Sequence, residues 1–234
     1  GNIDFNAAVG GGTVLGAVTI NSAATVDVDA AFTVAALTVT TATTFDSTGF
    51  TINTTGKAAT AGGDVNITTT GQLTTGAITT TGGASGANAI GQAAGAVTFS
   101  GGDINAGTIT ATGSAASSAD TTTRAGGAGG AVTMTATDGS PTITLSGNID
   151  TSGGAGAGTV VGAQGAGGTV TFNDPVILAA SRTITTGATA GNIVFGVDAT
   201  LDGTTAFTET LGLTAGTGNI DFNAAVGGGT VLGA

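Results

Sequence analysis

The acidic residues Asp27 and Asp29 have the types and the spacing that most suggest chemistry in this sequence of 234 residues. Residues two apart in a β-strand point to the same face, so both carboxylates would project from one side of the chain. Hard cations such as Ca²⁺ prefer carboxylate oxygens as ligands. The pair is therefore a candidate Ca²⁺ site, and two solvated acids are the alternative. The RTX-type calcium repeat is not matched, because GGDVNIT and GGDINAG place the Asp too early and lack the third Gly of that repeat.

The composition leaves little for catalysis or for nucleic-acid binding. The chain contains no His, Cys, Trp or Tyr, and its formal net charge is −11, with Lys57, Arg124 and Arg182 as its cations. These absences exclude disulfides, thiolate or imidazole metal sites and nearly every nucleophile–base pair. A nucleic-acid partner would need a basic stripe, and a membrane span would need about 18–20 apolar residues in a row. We therefore predict a protein that is not an enzyme, with no catalytic or cofactor-binding residues, no nucleic-acid partner and no membrane span.

Thr-x-Thr pairs recur along the chain, and rows of outward Thr resemble the ice-binding face of some β-solenoid antifreeze proteins. The pairs are Thr108/Thr110, Thr133/Thr135, Thr142/Thr144, Thr169/Thr171 and Thr183/Thr185. The gaps between them are irregular, and a solvated strand also favours outward Thr. A carbohydrate-binding or ice-binding surface is therefore the alternative to a purely structural role.

Short strands must position these side chains, because apolar residues recur as i, i+2 pairs that share one face of a strand. The early pairs are Ile3/Phe5, Val18/Ile20, Val26/Val28, Phe32/Val34, Leu37/Val39 and Phe50/Ile52. From residue 62 onward a module appears in which a glycine turn enters a strand with two inward apolar residues. The first inward residues of successive modules are Val65, Val97, Val132, Val170, Ile193 and Ile220. The sequence spacing between these residues is irregular but short, as expected if each module forms one coil of a β-solenoid.

Each module continues with two more short apolar segments, as at Leu73 and Ile78 or at Ile104 and Ile109. Three strands per turn predict an all-β chain folded as a right-handed parallel β-helix, with about eight coils between residues 1 and 217. The predicted inner column consists of Val97, Phe99, Val132, Met134, Val170, Phe172, Ile193 and Phe195. A string of β-sandwich domains is the alternative fold, but the modules return at a shorter step than a sandwich of about 100 residues needs.

Three excursions rich in Gly, Ala and Ser interrupt the modules at residues 81–95, 113–130 and 151–168. They leave after Ile78, Ile109 and Ile149 and return before the next module. Exit and return at equivalent points predict that the excursions form a ridge at one corner of successive coils. Either they are flexible filler or they form a packed lateral contact.

The segment GNIDFNAAVGGGTVLGA occurs at residues 1–17 and again, unchanged, at 218–234. We interpret residues 1–217 as one complete solenoid repeat and 218–234 as the start of the next identical repeat. The repeats are expected to stack coaxially without a linker. Ile3 and Phe5 should then be equivalent to Ile220 and Phe222 through a screw of about 40 Å along the rod.

The motifs GAVTF, GGTVTFN, GNIVFG and TAGTGNIDFNAAVGGGT resemble those of very long bacterial surface proteins of the filamentous-haemagglutinin and "β-strand repeat" type. The passenger regions of those proteins are right-handed β-helices exported to the cell exterior. The resemblance implies an extracellular or cell-surface location and a structural tandem repeat of a fibre or adhesin stalk. The expected partners are further copies of the same repeat, with lateral bundling through the Gly-rich loops. It implies no particular receptor and no site residue.

Overall fold

The computed structural model describes residues 1–119, 122–158 and 162–234, and these residues form strands, turns and loops without an α-helix. In this part of the chain, therefore, no helix exists that is long and apolar enough to cross a membrane. The strands are β1 (Ile3–Phe5), β2 (Leu15–Ile20), β3 (Ala23–Val28), β4 (Phe32–Asp46), β5 (Thr51–Asn53), β6 (Val65–Thr69), β7 (Leu73–Thr74), β8 (Ala77–Thr79), β9 (Val97–Gly101), β10 (Ile104–Ala106), β11 (Ile109–Thr110), β12 (Val132–Ala136), β13 (Ile143–Leu145), β14 (Ile149–Asp150), β15 (Val170–Phe172), β16 (Val176–Leu178), β17 (Arg182–Thr185), β18 (Ile193–Phe195), β19 (Leu201–Gly203), β20 (Leu211–Thr214) and β21 (Ile220–Phe222).

The chain winds in coils with three faces, and each strand pairs in parallel with the strand on the same face of the next coil. Face 1 consists of β2, the middle of β4, β6, β9, β12, β15, β18 and β21. Face 2 consists of β1, β3, the end of β4, β7, β10, β13, β16 and β19. Face 3 consists of the start of β4, β5, β8, β11, β14, β17 and β20. The prediction of an all-β parallel β-helix is confirmed, and the β-sandwich alternative is wrong because sandwiches are built from antiparallel sheets.

The predicted inner column of face 1 is confirmed. Its members pair in register from coil to coil and are fully buried: Val97, Phe99, Val132, Met134, Val170, Phe172, Ile193 and Phe195. Phe172 stacks on Phe195 and Phe195 on Phe222, with ring centroids 5.0 and 4.8 Å apart. Stacked aromatic rings add to the apolar burial, because their offset geometry is electrostatically favourable.

The other two faces carry the two further apolar segments that the modules predicted. Leu73 and Ile104 are register partners on face 2, and Ile78 and Ile109 are register partners on face 3. All four side chains are buried. Because side chains alternate along a strand, the residues next to these four in the sequence point outward from the coil.

The longest strand, β4, bends through three faces without a break. Phe32 lies on face 3, Leu37 on face 1 and Phe45 on face 2. The register of pairing with β6 shifts between Val39 and Ala42, which lies near the bend between faces 1 and 2. The first coils therefore turn their corners within a continuous strand, whereas later coils use glycine turns.

The predicted inward pair Phe50/Ile52 is wrong for Phe50. Ile52 is fully buried, but Phe50 is 37% exposed. Gly49 adopts a left-handed φ of 79°, and the Phe50 N–H donates to the Ser47 carbonyl oxygen in a turn. Phe50 therefore belongs to the corner between faces 2 and 3, and the strand begins after it at Thr51.

The two copies of the seventeen-residue segment lie on different faces of the solenoid. In the first copy Ile3 pairs with Val26 on face 2, whereas in the second copy Ile220 pairs with Ile193 on face 1. A screw that relates Ile3 to Ile220 must therefore include a rotation of about one third of a turn, and coaxial stacking of whole repeats stays a prediction. Each face needs the same pattern of two inward residues separated by one outward residue, so the same segment fits either face.

The two copies are not separated by a whole number of turns. Seven turns along face 2 lead from Ile3 to Leu201, and Leu213 on face 3 then precedes Ile220 on face 1. The interval from the start of one copy to the start of the next thus spans seven and two-thirds turns, close to the predicted eight.

Candidate functional site

The predicted acidic pair lies in the first coils of the solenoid, and the structure adds a third carboxylate to it. Asp4, Asp27 and Asp29 are exposed, and one carboxylate oxygen from each lies within 4.8 Å of the others. Asp4 is the register partner of Asp27, because β1 and β3 stack on face 2. Sequence reasoning missed Asp4, although an alignment of the IDF segment with the VDV segment would have found it.

The outward carboxylates continue as a row along face 2, where Asp46 is the next register partner of Asp27. The pKa of Asp27 is raised above its ordinary value of 3.8, first by desolvation and then by the negative charges of Asp29, Asp46 and Asp4. Like charges in a row disfavour ionisation, and a bound cation would offset the repulsion. Binding of Ca²⁺ at Asp27 and Asp29 stays a prediction.

Outward Thr residues form short rows and not one continuous face. On face 1, Thr98, Thr133 and Thr171 are register partners, but Val194 and Asp221 continue the same row. A regular Thr lattice would require Thr at this position on every coil. The carbohydrate-binding or ice-binding alternative stays a prediction.

The three Gly-rich excursions connect face 3 to face 1, so they project from one corner of successive coils, and this prediction is confirmed. We call the described residues of 81–95, 113–130 and 151–168 the glycine ridge. Residues 120, 121 and 159–161 of these excursions lie outside the described residues. Each excursion has an outgoing leg, at residues 81–87, 113–117 and 151–157, and a return leg, at residues 89–95, 124–130 and 162–168.

The legs of the glycine ridge stack coil on coil through backbone hydrogen bonds that recur at every third residue. The bonds between return legs are Gly91 N–H to Ala125 O, Ala94 N–H to Ala128 O, Gly126 N–H to Ala163 O and Gly129 N–H to Ala166 O, at 2.8–3.0 Å. A spacing of three residues is that of the polyproline II helix, which has three residues per turn. The return legs therefore form one layer of extended chains.

A second set of hydrogen bonds joins the return legs to the outgoing legs. Gly127 N–H donates to Ser114 O, Gly154 N–H to Gly127 O and Gly165 N–H to Gly154 O, at 2.8–2.9 Å. A Cβ on Gly126 would collide with the Gly154 carbonyl oxygen of the opposite layer, so the layers can approach this closely only through glycine. The described part of the glycine ridge is a packed two-layer body, and the flexible-filler alternative is wrong for it.

The sequence RAGGAGGA at residues 124–131 contains the signal for this arrangement as a period of three. Ala125 and Ala128 point to solvent. The N–H groups of Gly126 and Gly129 donate to the next return leg, and the N–H group of Gly127 donates to the other layer. Sequence reasoning treated these residues as low-complexity composition and missed the period.

Both broad surfaces of the glycine ridge are covered by alanine methyl groups. The exposed alanines include Ala84, Ala115 and Ala155 on the outgoing legs, and Ala93, Ala125, Ala128, Ala163 and Ala166 on the return legs. Ile90 adds an exposed apolar side chain, at 61% exposure. Exposed apolar side chains grouped in this way suit contact with another apolar surface.

Buried threonines close the base of the excursions where face 3 ends. The Thr80 hydroxyl donates to Gly95 O at 2.7 Å, while Gly95 N–H donates to Thr80 O at 2.8 Å. The same two-bond clamp joins Thr151 to Gly168. Buried Thr at this position occurs as Thr54, Thr80, Thr151 and Thr186. Sequence reasoning missed the clamp, whose signal is a recurring Ile-x-Thr before the glycine segments, with Ala111 in place of Thr before the second excursion.

Glu209 is a buried carboxylate in the loop between β19 and β20. The Thr204 hydroxyl donates to it, and the Thr205 N–H donates to both carboxylate oxygens at 3.1 Å. The hydrogen bond from Thr204 and then that from the Thr205 backbone lower its pKa against the opposing effect of desolvation. These bonds fix the conformation of the loop.

A cavity of about 200 Å³ lies at the corner that follows β5, beside Lys57 and Thr55. Pockets for drug-sized ligands usually measure about 300–1,000 Å³. The cavity is therefore small for a ligand site, and Lys57 supplies a single cation to it.

The chain matches no protein-family model, no curated protein and no solved structure in comparisons with each. Function must therefore be argued from the geometry of the solenoid and the glycine ridge.

Proposed function

We propose that the chain is a structural tandem repeat of an extracellular fibre or cell-surface adhesin stalk, whose copies stack coaxially into a long filament. The observation that carries the proposal is a segment repeated without change, at 1–17 and 218–234, in an unbroken stack of parallel coils. Among the described strands, β1 pairs with β3 alone and β21 with β18 alone, so each has an edge free for a further coil. The extracellular location rests on the sequence resemblance.

The mechanical basis of such a filament is hydrogen bonding along its axis. In a β-helix, backbone N–H and C=O groups point to the coils above and below, and stacked side chains keep the interior dry. Stretching or bending the rod would break these bonds in concert. Stacking also protects the strand edges, which would otherwise pair at random with other chains.

The test is the length of arrays that contain different numbers of the 1–217 repeat in tandem. Electron micrographs should show straight rods whose length increases by about 37 Å for each added repeat, at about 4.7–4.9 Å per coil. Arrays seen as separate bodies joined by bends, or with a length that does not grow in proportion, would contradict the proposal.

The alanine-covered surfaces of the glycine ridge favour a second role, lateral bundling of rods. The Ala128→Glu variant would place a charge on one of these surfaces, whereas Ala206→Glu adds the same charge at an exposed position outside the ridge. We expect Ala128→Glu to reduce bundle width in micrographs of tandem arrays and Ala206→Glu to leave it unchanged. Equal bundling in both variants would exclude this surface as the lateral contact.

A further inference from the structure

Over residues 3–13 and 220–230, the two copies of the repeated segment have the same local conformation although they lie on different faces. The matching features are the strands Ile3–Phe5 and Ile220–Phe222, the parallel bridges at Val9 and Val226, and the left-handed glycines Gly10 (φ 70°) and Gly227 (φ 65°). The segment therefore folds as one unit, and the face on which it lies is set by what it stacks against.

The two copies of the segment contact different neighbouring coils. The first copy stacks on the coil that follows it, through Ile3 on Val26, Val9 on Phe32 and Leu15 on Val34. The second copy stacks on the coil that precedes it, through Ile220 on Ile193, Val226 on Leu201 and Leu232 beside Gly203. Together the copies supply a complete set of neighbours, one coil on each side, for the same segment.

The second copy leaves an apolar edge that these neighbours would cover. Ile220, Phe222 and Val226 are 40%, 43% and 48% exposed. In the first copy, the corresponding edge is covered by the strand that begins the following coil, with Val26 and Val28 as register partners of Ile3 and Phe5. The occupant that fits the exposed edge is therefore the coil with the equivalents of Val26 and Val28 in the repeat that residues 218–234 begin.

We propose that the edge formed by Ile220, Phe222 and Val226 is covered by the coil equivalent to residues 26–32 in the repeat that residues 218–234 begin, and that successive repeats are stepped by one face of the coil. The proposal rests on the proposed function and defines the geometry of its joint. The separation of seven and two-thirds turns moves the segment from face 2 to face 1, so each copy is rotated by about one third of a turn relative to the last.

The faces tolerate this step because all three present inward side chains at i and i+2. Val97 and Phe99 form such a pair on face 1 and Ile104 and Ala106 on face 2, while Thr80 follows Ile78 on face 3. Three copies would complete a whole number of turns over roughly 110 Å. The glycine ridge would then point in three directions in succession along the rod.

The register of the second copy can be tested by cross-linking in the chain itself, which contains no native Cys. Val194 and Asp221 are outward register partners, so Val194→Cys with Asp221→Cys should react rapidly with a bifunctional thiol reagent that spans about 5 Å. The control pair, Asp202→Cys with Asp221→Cys, would be neighbours only if the second copy lay on face 2. We expect at least about tenfold faster cross-linking of the first pair. Faster cross-linking of the control pair would overturn the proposal.

The rotation can be measured by helical reconstruction from electron micrographs of long tandem arrays. We expect a rotation of about one third of a turn per repeat, with the ridge returning to the same side after roughly 110 Å. Straight rods whose ridges all lie on one side would overturn the stepped joint while leaving the stacked filament intact. Arrays that form no continuous rod would overturn the proposed function and the stepped joint with it.

Discussion

Phe99 and Thr98 are neighbours in β9, but their side chains lie on opposite sides of the coil wall. Phe99 is fully buried between its register partners Ile67 and Met134, and Thr98 is exposed. We expect Phe99→Asp to lower the free energy of unfolding by more than about 4 kcal/mol, because it removes a ring and buries a charge in a dry core. Thr98→Asp should change it by less than about 0.5 kcal/mol. Urea unfolding measures both, and equal losses would contradict the assignment of the inner face.

The acidic row on face 2 makes stability depend on pH. Since the folded pKa of Asp27 is raised, the contribution of this carboxyl to stability is most favourable below its ordinary pKa of 3.8 and is lost as pH rises through the folded value. Asp27→Asn should therefore raise the melting temperature at neutral pH and low salt, and the gain should fade below pH 3.8, while high salt should remove only the part due to the neighbouring carboxylates. Asp198→Asn, at an exposed acid outside the row, is the control. An Asp27→Asn gain that persists in acid would show that charge is not the cause.

The threonine clamp at the base of the glycine ridge should contribute more than any outward Thr. Thr80→Val leaves the buried Gly95 carbonyl oxygen without the hydroxyl that now donates to it at 2.7 Å, which should cost about 1–3 kcal/mol. Thr79→Val changes the adjacent outward residue and should cost less than about 0.5 kcal/mol. The two free energies of unfolding test the clamp, and the reverse order would refute it.

At the scale of elements, the glycine ridge depends on the absence of side chains between its layers. Gly126→Ala would place a methyl group against the Gly154 carbonyl group of the opposite layer, and only a separation of the layers would relieve the collision. We expect a loss of at least about 2 kcal/mol and faster amide exchange in the ridge. At Gly139 an added Cβ meets no atom within 4 Å, so Gly139→Ala should be nearly neutral. Similar losses in the two variants would mean that the layers are not in close contact.

The strands were predictable from the sequence because every coil of a β-helix repeats one pattern, two inward residues separated by one outward residue. Val132 and Met134, for example, form an i, i+2 pair after a glycine turn, and that pattern alone assigns them to the core. Phe50 was misassigned because the turn at Gly49 interrupts the alternation just before the strand. The layers of the ridge escaped prediction because their period of three belongs to neither helix nor strand.

The face on which each segment lies could not be predicted from this pattern alone, because the pattern is the same on all three faces. Ile3 and Ile220 have identical neighbours in the sequence, yet they lie on faces 2 and 1. The face that a segment occupies depends on the summed length of every preceding corner and excursion. That sum is a property of the whole chain, and no local motif reports it.

This dependence on summed length leads to a prediction about removing one complete coil. Deleting the segment 171–193 joins Val170 to Val194, which removes the length of one coil and keeps Phe195 inward because Val170 and Ile193 are register partners. The shortened chain should fold cooperatively, with a urea m-value reduced by roughly a tenth, since the m-value scales with the surface exposed on unfolding.

Deleting one residue more, 171–194, is the matched control because it joins Val170 to Phe195 and turns that phenylalanine outward. A slip of one residue moves every inward side chain of the strand to solvent and every outward one to the core. To recover, the chain would have to bulge at the junction or leave the last coils unpacked. We expect the second deletion to be less stable than the first by several kcal/mol in urea unfolding, on the order of the cost of exposing two core side chains. If the two deletions were equally stable, the coils would not be held in register by their inner columns, and a filament built by stacking them would have no fixed step.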